Sequence, residues 1–281
     1  MIAAFRAMGT LVEAWCDHSG QRPELEDLFR RVERACSRFL TDSELSRINA
    51  IAAPGTYDLS PLMAEVMTAA DHARTLTDGL VDVGVGSAVI DWGYDRTYSQ
   101  LSDREEPPPA MRTPVWSVDG GKLLKGEGTR FDLGGIAKGW TCDKAVEAGL
   151  CRVASAGGDL RSADPLTTVT VVDPWGSEAV RVELGLGALA TSSTTRRRWS
   201  VGAREVTHLM DPRTMTPIVS PVLSATVVAD TGVEAEAGGK AVLLLGEEGL
   251  AWADEQPWIR TAIVVWHDGS VFATAGLEPV A

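Results

Sequence analysis

No stretch of this 281-residue sequence is apolar for long enough to span a bilayer, and the N-terminal M-I-A-A-F-R-A-M-G-T holds no run suited to a secretory signal. The expectation is a cytoplasmic protein without membrane insertion. Cysteine is scarce and scattered. Cys16, Cys36, Cys142 and Cys151 show no C-x-x-C spacing, which argues against a cysteine zinc site or a disulfide framework and predicts buried, reduced thiols. Positive charge is in deficit as well: 26 Lys and Arg against 39 Asp and Glu leave a formal charge of −13, so nucleic acid and anionic lipid are disfavoured as partners. An anionic small ligand would need cations gathered locally. What is present is an ordinary globular composition, 44% hydrophobic, long enough for one domain over 1–281 or for two intimately packed subdomains.

The most informative stretch is 131–149, F-D-L-G-G-I-A-K-G-W-T-C-D-K-A-V-E-A-G. A short apolar entry ends at Asp132, two glycines follow, and Ile136, Trp140, Val146 and Leu150 then recur near helical spacing. The pattern predicts a strand, a tight turn and a helix. Gly134 and Gly135 would turn with positive φ, the first helical N–H groups would face an anion, and Lys138 would add a mobile cation. It is not a P-loop, because Gly139 and Trp140 follow Lys138. A glycine turn before a core helix remains the alternative.

Elsewhere, apolar spacing predicts helices over 23–36 and from Pro61 to about Leu76, the latter with Ser60 as N-cap. L-V-D-V-G-V-G, residues 80–86, suggests a strand entering a glycine loop, with Asp82 its one charge, either a ligand contact or a loop acid. A hairpin is expected around Asp119-Gly120-Gly121, and residues 98–114 read as an exposed connection. Residues 185–190 contain G-x-G-x-x-A, but no helix pattern follows, so a dinucleotide fingerprint is rejected. Arg196, Arg197 and Arg198 form either the local cation for an anionic ligand or a solvated loop. His208 precedes an Asp211-Pro212 turn, a placement suited to a general base as well as to a structural role. The last third reads strand, helix, strand, strand, with Glu236 and Lys240 spaced as an ordinary helical ion pair.

Taken together, A-M-G-T (7–10), S-R-F-x-x-x-S-E-L-S-R-I-N (37–49), V-D-V-G-V-G (81–86), D-L-G-G-I-A-K-G (132–139), G-G-D-L (157–160), A-T-S (190–192), H-L-M-D-P-R-T (208–214) and A-E-A-x-x-K-A-x-x-L-L-G (235–246) resemble the ApbE family of FAD:protein FMN transferases, in the family's order. The resemblance implies an α+β, T-fold-like architecture with an FAD cleft. It implies an enzyme that cleaves the FAD pyrophosphate with Mg²⁺, attaches FMN to a Thr or Ser hydroxyl of an acceptor flavoprotein and releases AMP. Carried over by motif, Met8, Asp82, Asp132 and Lys138 would contact FAD, and the Gly135 carbonyl and Glu236 would ligate Mg²⁺. His208 would take the acceptor proton, and Asp211 would orient nearby groups. An FAD-binding protein without transferase activity and an FAD pyrophosphate hydrolase are the alternatives.

The chain departs from the family at its last motif. Glu236 and Lys240 stand where an Asp and a Thr usually complete the Mg²⁺ site, so the expectation is a weakened Mg²⁺ dependence. Met215 replaces a usual Gly and is expected to narrow the mouth of the cleft. Residues 268–274 match the family's acceptor pattern at their ends only, which argues against self-flavinylation.

Overall fold

The structure, a computed structural model, describes residues 1–274. The chain opens with β1 (Ile2–Ala7), β2 (Thr10–Trp15), α1 (Gln21–Cys36), α2 (Glu44–Ala50), β3 (Gly55–Asp58), α3 (Pro61–Leu76) and α4 (Gly86–Asp91). It continues through β4 (Trp116–Asp119), β5 (Lys122–Lys125), α5 (Ala137–Glu147), β6 (Val153–Ala156), β7 (Asp159–Ser162), β8 (Thr168–Val172), β9 (Glu178–Glu183) and β10 (Gly187–Ser193). Then come β11 (Arg198–Val201), β12 (Arg204–Thr207), β13 (Met210–Asp211), β14 (Thr216–Pro217), β15 (Val222–Ala229), α6 (Gly232–Leu245), α7 (Gly249–Asp254), β16 (Ile259–Trp266) and β17 (Val271–Ala273). These elements fall into two compact units, each built from separate chain segments.

Among the described residues, unit 1 comprises Met1–Glu33, Ile136–Ser193 and 220–274. Its centre is an antiparallel sheet in the order β1-β2-β6-β7-β10-β15-β16-β17. Strand β15 is buried at every residue, which is why V-L-S-A-T-V-V-A reads as a continuous small and apolar run rather than an alternation. On one face α6 packs against β10 and β15. Ala188, Ala190, Ala229 and Ala235 form a cluster there, and such short side chains let a helix approach a sheet closely. The β8–β9 ribbon contributes Val171 and Val182 to a second cluster with Leu189, Val228 and Ile263. A third cluster joins β1, β2, α1 and α5 through Phe5, Val12, Leu25, Phe29 and Val146, and it includes Cys16, Cys142 and Cys151. All four cysteines are free thiols and buried, as their spacing predicts.

Two features fix how α5 and α6 meet within this unit. A reciprocal capping box starts α6, with Thr231 Oγ1 accepting from Glu234 N and Glu234 Oε2 accepting from Thr231 N. The buried Asp143 of α5 adds its own carboxylate, accepting from Gly232 N at 2.7 Å and Val233 N at 3.2 Å. The crossing itself requires glycine, since a Cβ on Gly139 would lie 2.6 Å from the Gly232 carbonyl oxygen.

Unit 2 comprises Arg34–Gly135 and Thr194–Val219. It holds the β3-β5-β4 sheet, the β11–β12 and β13–β14 hairpins and helices α2, α3 and α4. The Ser60 cap and the buried face of Met63, Val66, Met67, Ala70 and Ala73 follow the sequence pattern of α3. Ser43 caps α2 by accepting from Ser46 N. The strand expected over 80–86 is absent: Val81 and Val83 are buried in a turn that leads into α4. Close approach explains this, because a Cβ on Gly86 would lie 2.6 Å from the Phe131 carbonyl carbon. The valines therefore pack as loop anchors. Likewise, 131–133 forms no strand before α5.

Met215 does not project as expected. It is buried, with φ of 58°, inside a cluster containing Trp92, Tyr94, Trp199 and Met210, and its carbonyl accepts from Trp92 Nε1 at 3.0 Å. The left-handed conformation that favours Gly is held here by packing of the methionine side chain.

Candidate active site

In unit 2, Asp132 sits in a turn whose backbone donates to Val83 O. Its carboxylate accepts from Arg38 Nε at 2.8 Å and from Gly134 N at 2.8 Å. Burial pushes this carboxyl up, but Arg38, the Gly134 N–H and His208 together outweigh it and hold the pKa below the usual range. Neither Gly134 nor Gly135 adopts the positive φ expected of it; Gly134 instead completes a local turn onto the Asp132 side chain.

Arg38 lies over the Phe39 and Tyr94 rings at 4.1 and 4.6 Å and donates Nη1 to the Tyr94 carbonyl at 2.6 Å. His208 follows β12 and meets Tyr94 edge-on, with ring centroids 6.2 Å apart. The strand end before the Asp-Pro turn is where the sequence places it.

Asp82 accepts from Trp116 Nε1 and Gly84 N, both at 2.7 Å. Burial nevertheless pushes its pKa up. Asp211 organises its own turn: it pairs in bidentate fashion with Arg213 at 2.9–3.0 Å, and its backbone carbonyl accepts from Thr214 N and Met215 N. Among the three arginines of 196–198, Arg198 pairs with Glu205 at 3.0 Å, an ordinary ribbon ion pair.

In unit 1, Lys138 is pinned rather than mobile. Its Nζ lies 2.7 Å from Asp159 Oδ2 and 2.9 Å from Glu236 Oε1. Lys240 reaches the same Glu236 oxygen at 3.2 Å, and Glu236 Oε2 takes the Gly139 N–H at 3.4 Å. Glu236 and Asp159 side chains are only 3% and 5% exposed, so the spacing of Glu236 and Lys240 marks a buried pair instead of a surface one. Burial and the neighbouring Glu236 push Asp159 up to about 6. Burial opposes ionisation of Glu236 too, but two ammoniums hold it below its usual value. Lys138 is raised because its two carboxylates overcome burial, whereas burial leaves Lys240 lowered. Met8, at φ of 53° in the β1–β2 turn, stands 3.8 Å from Thr141 Oγ1 through its sulfur.

Asp159 and Arg38 were not among the expected site residues. Both lie within motifs shared with the family, G-G-D-L and S-R-F, and the charge inside each motif is the signal that the sequence offers.

The residues present do not fit a resident Mg²⁺. Such an ion needs several oxygen ligands in near-octahedral geometry. Both Glu236 oxygens already accept from N–H donors, and Asp159 is paired to Lys138. Among the described residues no group of three or more His, Cys, Asp or Glu is arranged to hold a metal. Among those residues, too, no helix is long and apolar enough to cross a membrane.

Comparison with known proteins adds the lineage. The family model described as ApbE family matches residues 8–263. A Rhodobacter capsulatus protein named FAD:protein FMN transferase is 30% identical over 88% of this chain, and this chain spans only 50% of its length. A Vibrio cholerae protein of the same name is 26% identical, covering 94% of this chain and 85% of its own. The crystal structure of the ApbE protein from Thermotoga maritima superposes with a TM-score of 0.83 at 22% identity, covering 98% of this chain and 97% of that one.

Proposed function

The chain belongs to the ApbE family, and from that premise we propose that it transfers FMN from FAD to a Thr or Ser hydroxyl of an acceptor flavoprotein, releasing AMP. The observation that carries this reading is the family match over 8–263, within which D-L-G-G-I-A-K-G and H-L-M-D-P-R-T are both retained.

His208 accepts the proton of the acceptor hydroxyl. The hydroxyl oxygen then attacks the phosphorus on the FMN side of the pyrophosphate, and the bond to the bridging oxygen breaks. AMP leaves with that electron pair. Such a reaction needs an aligned nucleophile and neutralised phosphate charge more than covalent help from the protein. Met8, Asp82, Asp132 and Lys138 are the FAD contacts. Asp132, held ionised by Arg38, and Lys138, held as the ammonium by two carboxylates, each keep a fixed charge at neutral pH. Asp211 shapes the turn that follows His208.

The test is incubation of the chain with FAD and a peptide bearing the family's acceptor pattern, followed by chromatography. Flavin attached to the peptide supports the transferase. AMP with free FMN indicates a hydrolase, and bound but unchanged FAD indicates a flavin-binding protein.

A further inference from the structure

Lys138, Asp159, Glu236 and Lys240 form a set of two ammoniums and two carboxylates, joined by contacts of 2.7, 2.9 and 3.2 Å. The Lys240 Nζ also donates to the Glu236 carbonyl oxygen one turn back, at 3.3 Å. When all four groups are ionised their charges cancel. Without Lys240 the same set would carry one net negative charge, and a buried, unbalanced carboxylate is what attracts a cation. Lys240 supplies that charge from within the chain.

A divalent ion bound to Glu236 would share that carboxylate with two ammoniums, whose Nζ atoms lie 2.9 and 3.2 Å from Oε1, a like-charge arrangement that a low-dielectric setting makes costly. At Glu236 Oε1 it would also compete with the Lys138 and Lys240 ammoniums already held there. The side chains of Lys138 and Lys240 are 14% and 19% exposed, so bulk water screens this repulsion weakly. We propose that the Lys240 ammonium is the resident cation of this cluster and that the chain binds the diphosphate of FAD without a divalent metal. The inference rests on the flavin reading above.

Two readouts other than turnover test it. Free Mn²⁺ gives a paramagnetic resonance signal that is lost on binding, and FAD affinity is read from flavin fluorescence in EDTA or in Mg²⁺. The native chain should lower the Mn²⁺ signal no further than buffer or FAD alone does, and its FAD affinity should agree within about twofold in the two buffers. Lys240→Thr, which removes the internal charge, should take up Mn²⁺ and bind FAD at least about tenfold more tightly in Mg²⁺ than in EDTA. Lys240→Arg keeps the charge and should behave as the native chain does. If Lys240→Thr fails to fold, the native and Lys240→Arg results still decide.

Uptake of one Mn²⁺ by the native chain, or a tenfold gain of its FAD affinity in Mg²⁺, roughly 1.4 kcal/mol, would overturn the proposal alone. No FAD binding in either buffer would overturn the flavin reading, and the proposal with it.

Discussion

Lys138 in unit 1 and Arg38 in unit 2 are both buried cations beside carboxylates, yet their surroundings differ. Lys138 pairs with two carboxylates, Asp159 and Glu236, and shares Glu236 with Lys240, so the resulting set is electrically closed. Arg38 has one carboxylate, Asp132, one carbonyl and two aromatic faces, and its Nη2 is buried without a hydrogen-bond partner. An ammonium is a compact point charge that several carboxylates can share, whereas a guanidinium is a rigid fork whose donors must each be met in its plane. The unit 1 cluster is thus built for charge balance. The unit 2 cluster holds Asp132 in one orientation, in the field felt by His208.

The largest change is expected from replacing His208, the proposed base. His208→Asn is expected to lower the transfer rate by about 10²–10⁴-fold while FAD affinity stays near native, because general-base help acts in the transition state. A parallel loss of FAD affinity would place His208 in ligand binding instead. On the unit 1 side, Glu236→Ala leaves two ammoniums facing one carboxylate and should destabilise the fold by about 3–5 kcal/mol in denaturant titration.

Met215→Gly removes left-handed strain of about 1 kcal/mol but empties a buried methionine position, so a net loss of roughly 1–3 kcal/mol is expected. A gain in stability would show that strain, not packing, governs that turn.

A further effect is pH-dependent. Burial pushes Asp143 from 3.8 to about 6 despite the N–H donors of Gly232 and Val233. The folded state therefore binds this proton more tightly than the unfolded one. Its stabilising contribution is present below pH 3.8 and is lost as pH rises through about 6. Within that window stability should fall by up to about 1.4 kcal/mol per pH unit for this group. Asp143→Asn should flatten the slope of melting temperature against pH by that share, and an unchanged slope would reject the assignment.

Much of this was legible in the chain because local patterns and tertiary demands agreed. The Ser60-Pro61 start of α3, the turn at Asp119-Gly120-Gly121 and the strand end at His208 all express local backbone chemistry. Where they disagreed, sequence reading failed for identifiable reasons. Val81, Val83 and Val85 alternate like a strand, but their segment is set by the approach of Gly86 to the Phe131 backbone, which is 45 residues away and invisible to periodicity. Lys138 read as mobile because the partners that pin it, Asp159 and Glu236, lie on β7 and α6. Met215 read as an obstruction because a core position and a loop tip look alike in a turn motif.

The most direct measurement is the ratio of AMP released to flavin attached when the native chain is given FAD and an acceptor peptide, with and without Mg²⁺. Equimolar AMP and flavinylated peptide are expected in both conditions. AMP in large excess over attached flavin, or unchanged FAD in both, would contradict it.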